Sequence, residues 1–369
     1  LAQSDFDESA CLARLGACST TPSSGVMQPG DLCFVSGVSG YLGSWIAKEL
    51  LDGGFRVRGS VRSLGDTERV AALRKLLPGV ELIAADLRRE EGWSRAIAGC
   101  RWVFHVASPQ AVKSESDRTG GALSGTRFLL TAAAADPVVQ KVVVTSSEAA
   151  IAYGHPRSKR HFDESDWTDL GGLDRRADYH RSKTLAERWA WDWADDVKLN
   201  PRRIPLATVN PSLILGPSLV PWGRFSLSLL GDMALGKMPV MLDMTVRVVD
   251  VRDCARMHLA VMRDPACNGQ RHLCMSRPTT LAELAGCIAR NYAARGFAPP
   301  VRLMPSWLAR MLAPLAADLA SVRSHIGNDI RYSTLHPRVY RYEHRDVEVI
   351  VRQSMDSMLA HGWLKPRAA

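Results

Sequence analysis

The sequence predicts an α/β protein in which a doubly wound parallel sheet carries a smaller, mixed α/β lobe at its C-terminal end. Three observations carry this. Short apolar runs alternate with helix-period segments through the first two-thirds of the chain, the pattern of a parallel sheet covered on both faces. The first apolar run passes into a helix through Gly37, Gly40 and Gly43, spaced G-x-x-G-x-x-G. After Gly216 and Pro217 the alternation lapses, broken by Pro221, Gly223, Gly231, Gly236 and Pro239, as expected where a separate lobe begins.

Residues 32–36 read as the first strand. Leu42, Trp45, Ile46 and Leu50 then recur at helical spacing, and Gly53 and Gly54 close that helix. Residues 55–61, 81–85 and 102–106 read as the second, third and fourth strands, with amphipathic segments between them. A helix over residues 121–135 precedes the run Val142, Val143, Val144, the fifth strand, which ends in Thr145, Ser146 and Ser147. Residues 179–198 are helical by pattern and residues 204–209 supply a sixth strand. The chain therefore divides into an N-terminal extension (1–30), a dinucleotide-binding domain (31–215) and a substrate lobe (216–369), with a crossing back into the larger domain around 245–275. The extension is rich in Ser, Thr, Ala and Asp, reads as disordered, and lacks the basic-then-apolar plan of a secretion signal.

With 369 residues, 46% hydrophobic and 23% charged, the chain can bury a sizeable core and has the profile of a globular protein. No apolar run approaches a membrane span. The net charge of +9 comes from scattered arginines, which argues against a nucleic-acid partner and fits a phosphate-bearing ligand. Eight cysteines form no C-x-x-C pair and no cluster with zinc spacing, so no metal is expected and the thiols read as reduced, in a cytoplasmic protein.

The chemistry lies in three places. A glycine turn between strand and helix brings backbone close to a pyrophosphate, and the helix start offers it unpaired N–H groups. Gly37, Gly40 and Gly43, with Ser39, Tyr41 and Leu42, form that candidate site. Tyr179 and Lys183 stand one helical turn apart on a shared face, and Ser147 ends a strand. Such a trio suits hydride transfer to or from a carbonyl. A phenol is a poor acid–base group at neutral pH until a neighbouring ammonium lowers its pKa, and a serine hydroxyl can meet charge developing on the carbonyl oxygen. Taken singly, each residue also has a plain structural reading: Tyr179 as a packed helix-start ring, Lys183 as a solvated charge, Ser147 as a strand-end hydroxyl. Their order along the chain favours the chemical reading.

The second strand tells which dinucleotide. An NAD site places Asp or Glu at its end; this chain has Arg58, Ser60 and Arg62 and no acid. Arg62 suits a 2′-phosphate, with Ser60 a lesser candidate, so NADP (NADPH) is the expected cofactor. Asp86, after the third strand, can accept from adenine or cap the next helix.

These motifs, with Phe104 to Pro109 (FHVASP), Asp163-Glu164-Ser165, Asn210-Pro211-Ser212 and Asp250-Val251-Arg252-Asp253, resemble the extended short-chain dehydrogenase/reductases with a Rossmann fold. Within them the resemblance is to the dihydroflavonol 4-reductase-like group, which includes plant flavonoid and cinnamoyl-CoA reductases and microbial aldehyde and ketone reductases. The resemblance implies that Ser147, Tyr179 and Lys183 are catalytic and that Arg62 reads the NADP phosphate. It further implies that Asp86 and Leu87 bracket the adenine, that Val106, Ala107, Ser108, Pro211 and Ser212 line the ribose and nicotinamide, and that Asp253 caps a helix.

Departures from the group bear on substrate. Ala152 stands where plant flavonoid reductases carry an Asn, Glu148 follows the triplet where a small or apolar residue is usual, and the cinnamoyl-CoA reductase signature is absent. The implied reaction is NADPH-dependent reduction of an aldehyde or ketone in a mostly apolar pocket walled by Ala149, Ala150, Tyr153, Pro221, Trp222 and Phe225. Alternatives are a nucleotide-sugar epimerase or dehydratase, a 3β-hydroxysteroid dehydrogenase-like enzyme, and a non-catalytic dinucleotide sensor. The expected partner is a small carbonyl compound, with no nucleic acid or membrane, and the expected state is a monomer or homodimer.

Overall fold

Apolar runs such as Leu32–Val35 and residues 142–144 are too short for core helices and pair instead into a sheet buried on both faces. In the computed structural model, which describes residues 25–109, 115–222, 226–300, 302–315, 317–339 and 345–365, seven strands do so. They are β1 (Leu32–Val35), β2 (Arg56–Val61), β3 (Glu81–Ala84), β4 (Trp102–His105), β5 (Lys141–Thr145), β7 (Leu206–Pro211) and β11 (Arg271–Cys274). Their order is β11-β7-β5-β4-β1-β2-β3, and every pairing is parallel. This is the doubly wound α/β fold expected from the sequence.

The order reverses at β1. The chain steps from β1 to β2 and β3 on one side, then returns to lay β4 on the other, with Val35 opposite both Gly59 and Phe104. A crevice opens beyond the carboxyl ends of strands at such a reversal, and ligands of these sheets bind there.

Successive side chains point to opposite faces. Cys33 and Val35 join a core with α1 (Tyr41–Asp52) and α7 (Val251–Arg263), while Phe34 joins a second core with α3 (Trp93–Ile97), α4 (Glu115–Ala135) and α5 (Asp178–Asp195). Six described cysteines are free and buried, packing as small apolar groups. Among the described residues no helix is long and apolar enough to cross a membrane.

A smaller sheet, β12-β10-β8, is built from β8 (Leu213–Leu215), β10 (Thr245–Asp250) and β12 (Pro278–Thr280). Around it lie α6 (Leu227–Ala234), α8 (Leu281–Tyr292) and α11 (Val347–Ala360). The start of α8 is fixed by reciprocal bonds between Thr280 and Glu283, the capping box. Here the structure adds to the sequence reading. The sixth strand of the large sheet runs on to Pro211, and the chain returns through α7 to add β11 beside β7. Arg271 and His272 had hidden that strand, because their polarity breaks the apolar pattern although both are buried. Of the N-terminal segment, residues 25–30 are described: Met27 is buried and the Gly30 N–H donates to the Gly54 carbonyl at 2.8 Å. The helix α7 is capped by Asp250, whose carboxylate accepts from the Arg252 N–H at 2.9 Å; Asp253, expected as a cap, lies inside the first turn and pairs with Arg345 at 2.9 Å.

Candidate active site

The glycine turn sits over the crevice. Gly37 has φ +67°, a left-handed conformation, and a Cβ there would lie 3.0 Å from Ala107. A Cβ on Gly43 would lie 2.4 Å from the Gly37 carbonyl oxygen, so α1 packs this closely on the turn only with glycine at that position. Gly40 precedes α1 with no side-chain cap, leaving first-turn N–H groups for an anion. Ser36 Oγ accepts from the Val106 and Ala107 N–H groups at 2.8 and 2.9 Å and locks the end of β4 against the turn. These features fit a bound dinucleotide: an uncapped helix start, a close-approach glycine turn and the crevice between β1 and β4.

Around that cradle the individual residues divide. Ser60 Oγ accepts from the Gly37 N–H at 3.0 Å and Ser60 is buried, so its hydroxyl shapes the turn. The Tyr41 ring is buried, its hydroxyl donating to the Gly216 carbonyl at 2.8 Å, and Leu42 is a core residue; only their backbone faces the crevice. Of the two arginines of β2, Arg58 pairs with Glu81 at 2.8 Å and donates to the Ala98 carbonyl at 2.7 Å, a structural role. Arg62 is exposed at the end of β2. Asp86 is held by Arg88, at 2.8 Å, and that hydrogen bonding, with Arg62 adding a smaller effect, lowers its carboxyl pKa; the next helix is preceded by Gly92 instead. Leu87 packs on Gly125, where a Cβ would meet it at 2.2 Å.

Ser147, Tyr179 and Lys183 come together. The Tyr179 hydroxyl donates to Ser147 Oγ at 3.3 Å, and the Lys183 ammonium donates to the Thr145 carbonyl at 3.3 Å. Tyr179 and Lys183 lie in the first two turns of α5, which packs along the end of β5. Tyr179 is 41% exposed, whereas Lys183 and Ser147 are buried. Burial lowers the Lys183 pKa to about 8, partly opposed by Glu187. His105, beneath them, is lowered to about 3 by burial and then by Lys183, so it is neutral and bridges Ser36 and Thr126. Ala107, Ser108 and Lys183 border one small void.

A polar hub fixes the trio from behind. Glu187, one turn beyond Lys183 and buried, accepts from Ser146, from Thr208 at 3.1 Å and from Asn210 at 2.8 Å, and pairs with Arg271 at 2.7 Å. Asn210 also reaches the Ser147 carbonyl at 3.3 Å. Sequence reasoning missed Glu187 and Arg271; the available signal was a charged residue on the same face of the helix as Lys183, between Ala186 and Ala190.

A cavity of about 810 Å³ opens on Ser147 and Tyr179. Ala149, Tyr153, Pro211 and Ser212 line it, and the buried Ser212 hydroxyl has no hydrogen-bond partner among the described residues. Tyr153 stacks on His325 at 4.3 Å and meets the His180 ring at a tilt, at 4.0 Å. Three expected walls lie elsewhere. Ala150 is fully buried, its carbonyl accepting from Thr168 N–H at 3.0 Å, because the turn after Ser147 directs it inward. Trp222 donates to the Ser39 carbonyl at 2.8 Å under Arg69, at 4.9 Å, and so covers the glycine turn. Pro221 is exposed, its carbonyl held by Trp363 at 2.9 Å, and Phe225 lies outside the described residues. Glu148, His180 and Arg247 line the cavity and were not among the expected walls.

The sequence profile of the NAD dependent epimerase/dehydratase family matches residues 33–273 of the chain. The chain belongs to that family. Within the epimerase/dehydratase family it is similar to tetraketide alpha-pyrone reductase 1 of Arabidopsis thaliana, 35% identical over 272 residues, which span 71% of this chain and 81% of that protein. It is similar also to the anthocyanidin reductase of the same plant, 33% identical over 278 residues, or 70% and 80% of the two chains. Among solved structures, vestitone reductase from alfalfa aligns with a TM-score of 0.68 and 25% identity over 91% of this chain and 100% of that one. The NADPH complex of the yeast methylglyoxal/isovaleraldehyde reductase Gre2 shares the fold, with a TM-score of 0.72 and 20% identity over 90% and 99%. This epimerase/dehydratase-family chain is accordingly an extended short-chain dehydrogenase/reductase, an oxidoreductase that uses an NAD(P) cofactor.

Proposed function

We propose that the protein reduces an aldehyde or ketone to the alcohol with NADPH. The observation that supports this most is the Tyr179–Ser147 hydrogen bond of 3.3 Å at the cavity, with the buried Lys183 one turn behind it. When bound, the cofactor supplies hydride to the carbonyl carbon. Ser147 turns its hydroxyl toward the carbonyl oxygen and stabilises charge developing there. Tyr179, the exposed member, delivers the proton to that oxygen. Lys183, held against the Thr145 carbonyl, offers a positive charge that stabilises the phenolate left behind. The apolar side of the cavity, with Leu213, Met238 and Val246, limits the water around the reacting atoms. NADPH is favoured over NADH by Arg62, at a strand end without an acid.

The test is oxidation of NADPH by the purified protein against aromatic and aliphatic aldehydes, ketones and diketones. Turnover of any of them, lost by about 100-fold or more in Tyr179→Phe with NADPH affinity retained, supports the reading. Full activity in Tyr179→Phe removes the proposed acid, and NADPH bound without oxidation across the panel moves the chain to an epimerase or sensor role.

A further inference from the structure

Arg247 is a positive charge in the cavity wall that the reduction does not use. It stands on β10 opposite Pro278 and lines the same cavity as Ser147 and Tyr179. Its guanidinium lies over the Tyr332 ring, 5.1 Å from the ring centroid. Its Nε is buried and has no hydrogen-bond partner, and it makes no ion pair among the described residues. The other long cation at this cavity, Lys237, is paired with Asp232 at 3.0 Å. Arg271, which also stacks on an aromatic ring, is paired with Glu187.

A buried guanidinium N–H without an acceptor is costly, and the planar fork of an arginine matches a carboxylate through two parallel hydrogen bonds. The Tyr332 ring attracts the guanidinium and holds it in the wall. Glu148, an acid that feels this charge, does not satisfy it: it accepts from the Tyr332 hydroxyl and forms no ion pair with Arg247. Burial raises the Glu148 pKa, opposed by the Tyr332 hydrogen bond and by the Arg247 charge. The neighbouring residues Leu213, Leu229, Met238, Met244 and Val246 are apolar and offer an anion no donor of their own.

We propose that Arg247 determines specificity by binding a carboxylate on the carbonyl substrate, so that the substrate class is an oxo acid whose carbonyl reaches Ser147 and Tyr179. The placement of the carbonyl rests on the reductase reading; the anion site on Arg247 does not.

Two measurements separate them. Calorimetric binding of benzoate and benzamide to the wild-type protein, Arg247→Met and Arg247→Lys probes the anchor without turnover. Benzoate binds the wild type about 10-fold or more tighter than benzamide, the preference disappears in Arg247→Met, and Arg247→Lys keeps part of it. Equal affinities for the wild type, no benzoate binding at all, or a preference that survives in Arg247→Met overturns the proposal. The lysine variant, which keeps charge and bulk, serves if the methionine variant fails to fold. NADPH oxidation with 4-formylbenzoate and 4-methylbenzaldehyde then reads the reaction. The ratio of their kcat/KM values falls about 10-fold or more from wild type to Arg247→Met, and an unchanged ratio counts against the anchor. If neither aldehyde is turned over while benzoate still binds through Arg247, the reductase reading fails and the anion site stands.

Discussion

Tyr179 and Lys183 share a helix face yet differ in surroundings: the tyrosine is 41% exposed to the cavity and the lysine is buried. The difference suits their proposed tasks, since a proton donor must meet substrate and a fixed charge acts more strongly where water is excluded. It also has a consequence for stability. Folded Lys183 titrates at about 8 and the unfolded lysine near 10.5, so between these values the unfolded state holds more protons. The burial penalty is therefore complete below pH 8 and is relieved as the pH rises toward 10.5. Lys183→Met removes this contribution; chemical unfolding from pH 7 to 10 should show the wild type gaining on the variant above about pH 8. A gap that does not change with pH contradicts a buried ammonium. At the cofactor end, Arg58 is tied to Glu81 while Arg62 is exposed. Arg62→Asp should raise the KM for NADPH roughly 10- to 100-fold, the worth of a charge-assisted bond, and leave NADH less affected. Equal changes for both cofactors would remove Arg62 from the phosphate site.

At the scale of elements, the site depends on how closely α1 meets the end of β1. Gly43 permits that approach, because a Cβ would lie 2.4 Å from the Gly37 carbonyl oxygen. Gly43→Ala must push the helix away or distort the turn, at about 1–3 kcal/mol by analogy with overpacking in cores. Thermal unfolding should fall by several degrees, and NADPH affinity should fall with it, since the helix start is the proposed phosphate site. A variant with normal stability and normal affinity would show that the turn is not under this constraint. The helix α5 plays the corresponding part on the other side of the crevice: one face carries Tyr179 to the cavity and Lys183 behind it, and Glu187, one turn on, anchors the helix to the sheet.

Across the whole molecule, the pair of Glu187 and Arg271 joins α5 to β11, the strand that returns from the smaller lobe. Both residues are buried, and Arg271 also donates to the Glu164 carbonyl at 2.8 Å. Glu187→Ala leaves that arginine charge without its partner, which costs about 3–5 kcal/mol. Urea unfolding should register the loss, and turnover should drop because Asn210 and Ser146 lose the acceptor that positions them behind Ser147. A cost below about 1 kcal/mol would place the pair among the dispensable ones.

The sequence by itself determined the sheet, the glycine turn and the order of Ser147, Tyr179 and Lys183, because each is local. Periodicity of two or about four residues, a glycine at a turn and a one-turn spacing on a helix are properties of neighbouring residues. Contacts between distant segments are not legible in this way. Only the tertiary structure placed Trp222 over Ser39 rather than in the cavity, engaged Ser60 with Gly37, and buried Arg271 against Glu187 in a strand with no apolar pattern. The same is true of Arg247, Tyr332 and Glu148, which are separated by scores of residues in the chain and meet in one wall. Burial and pairing decide what a charged side chain does, and both are set by which elements pack together.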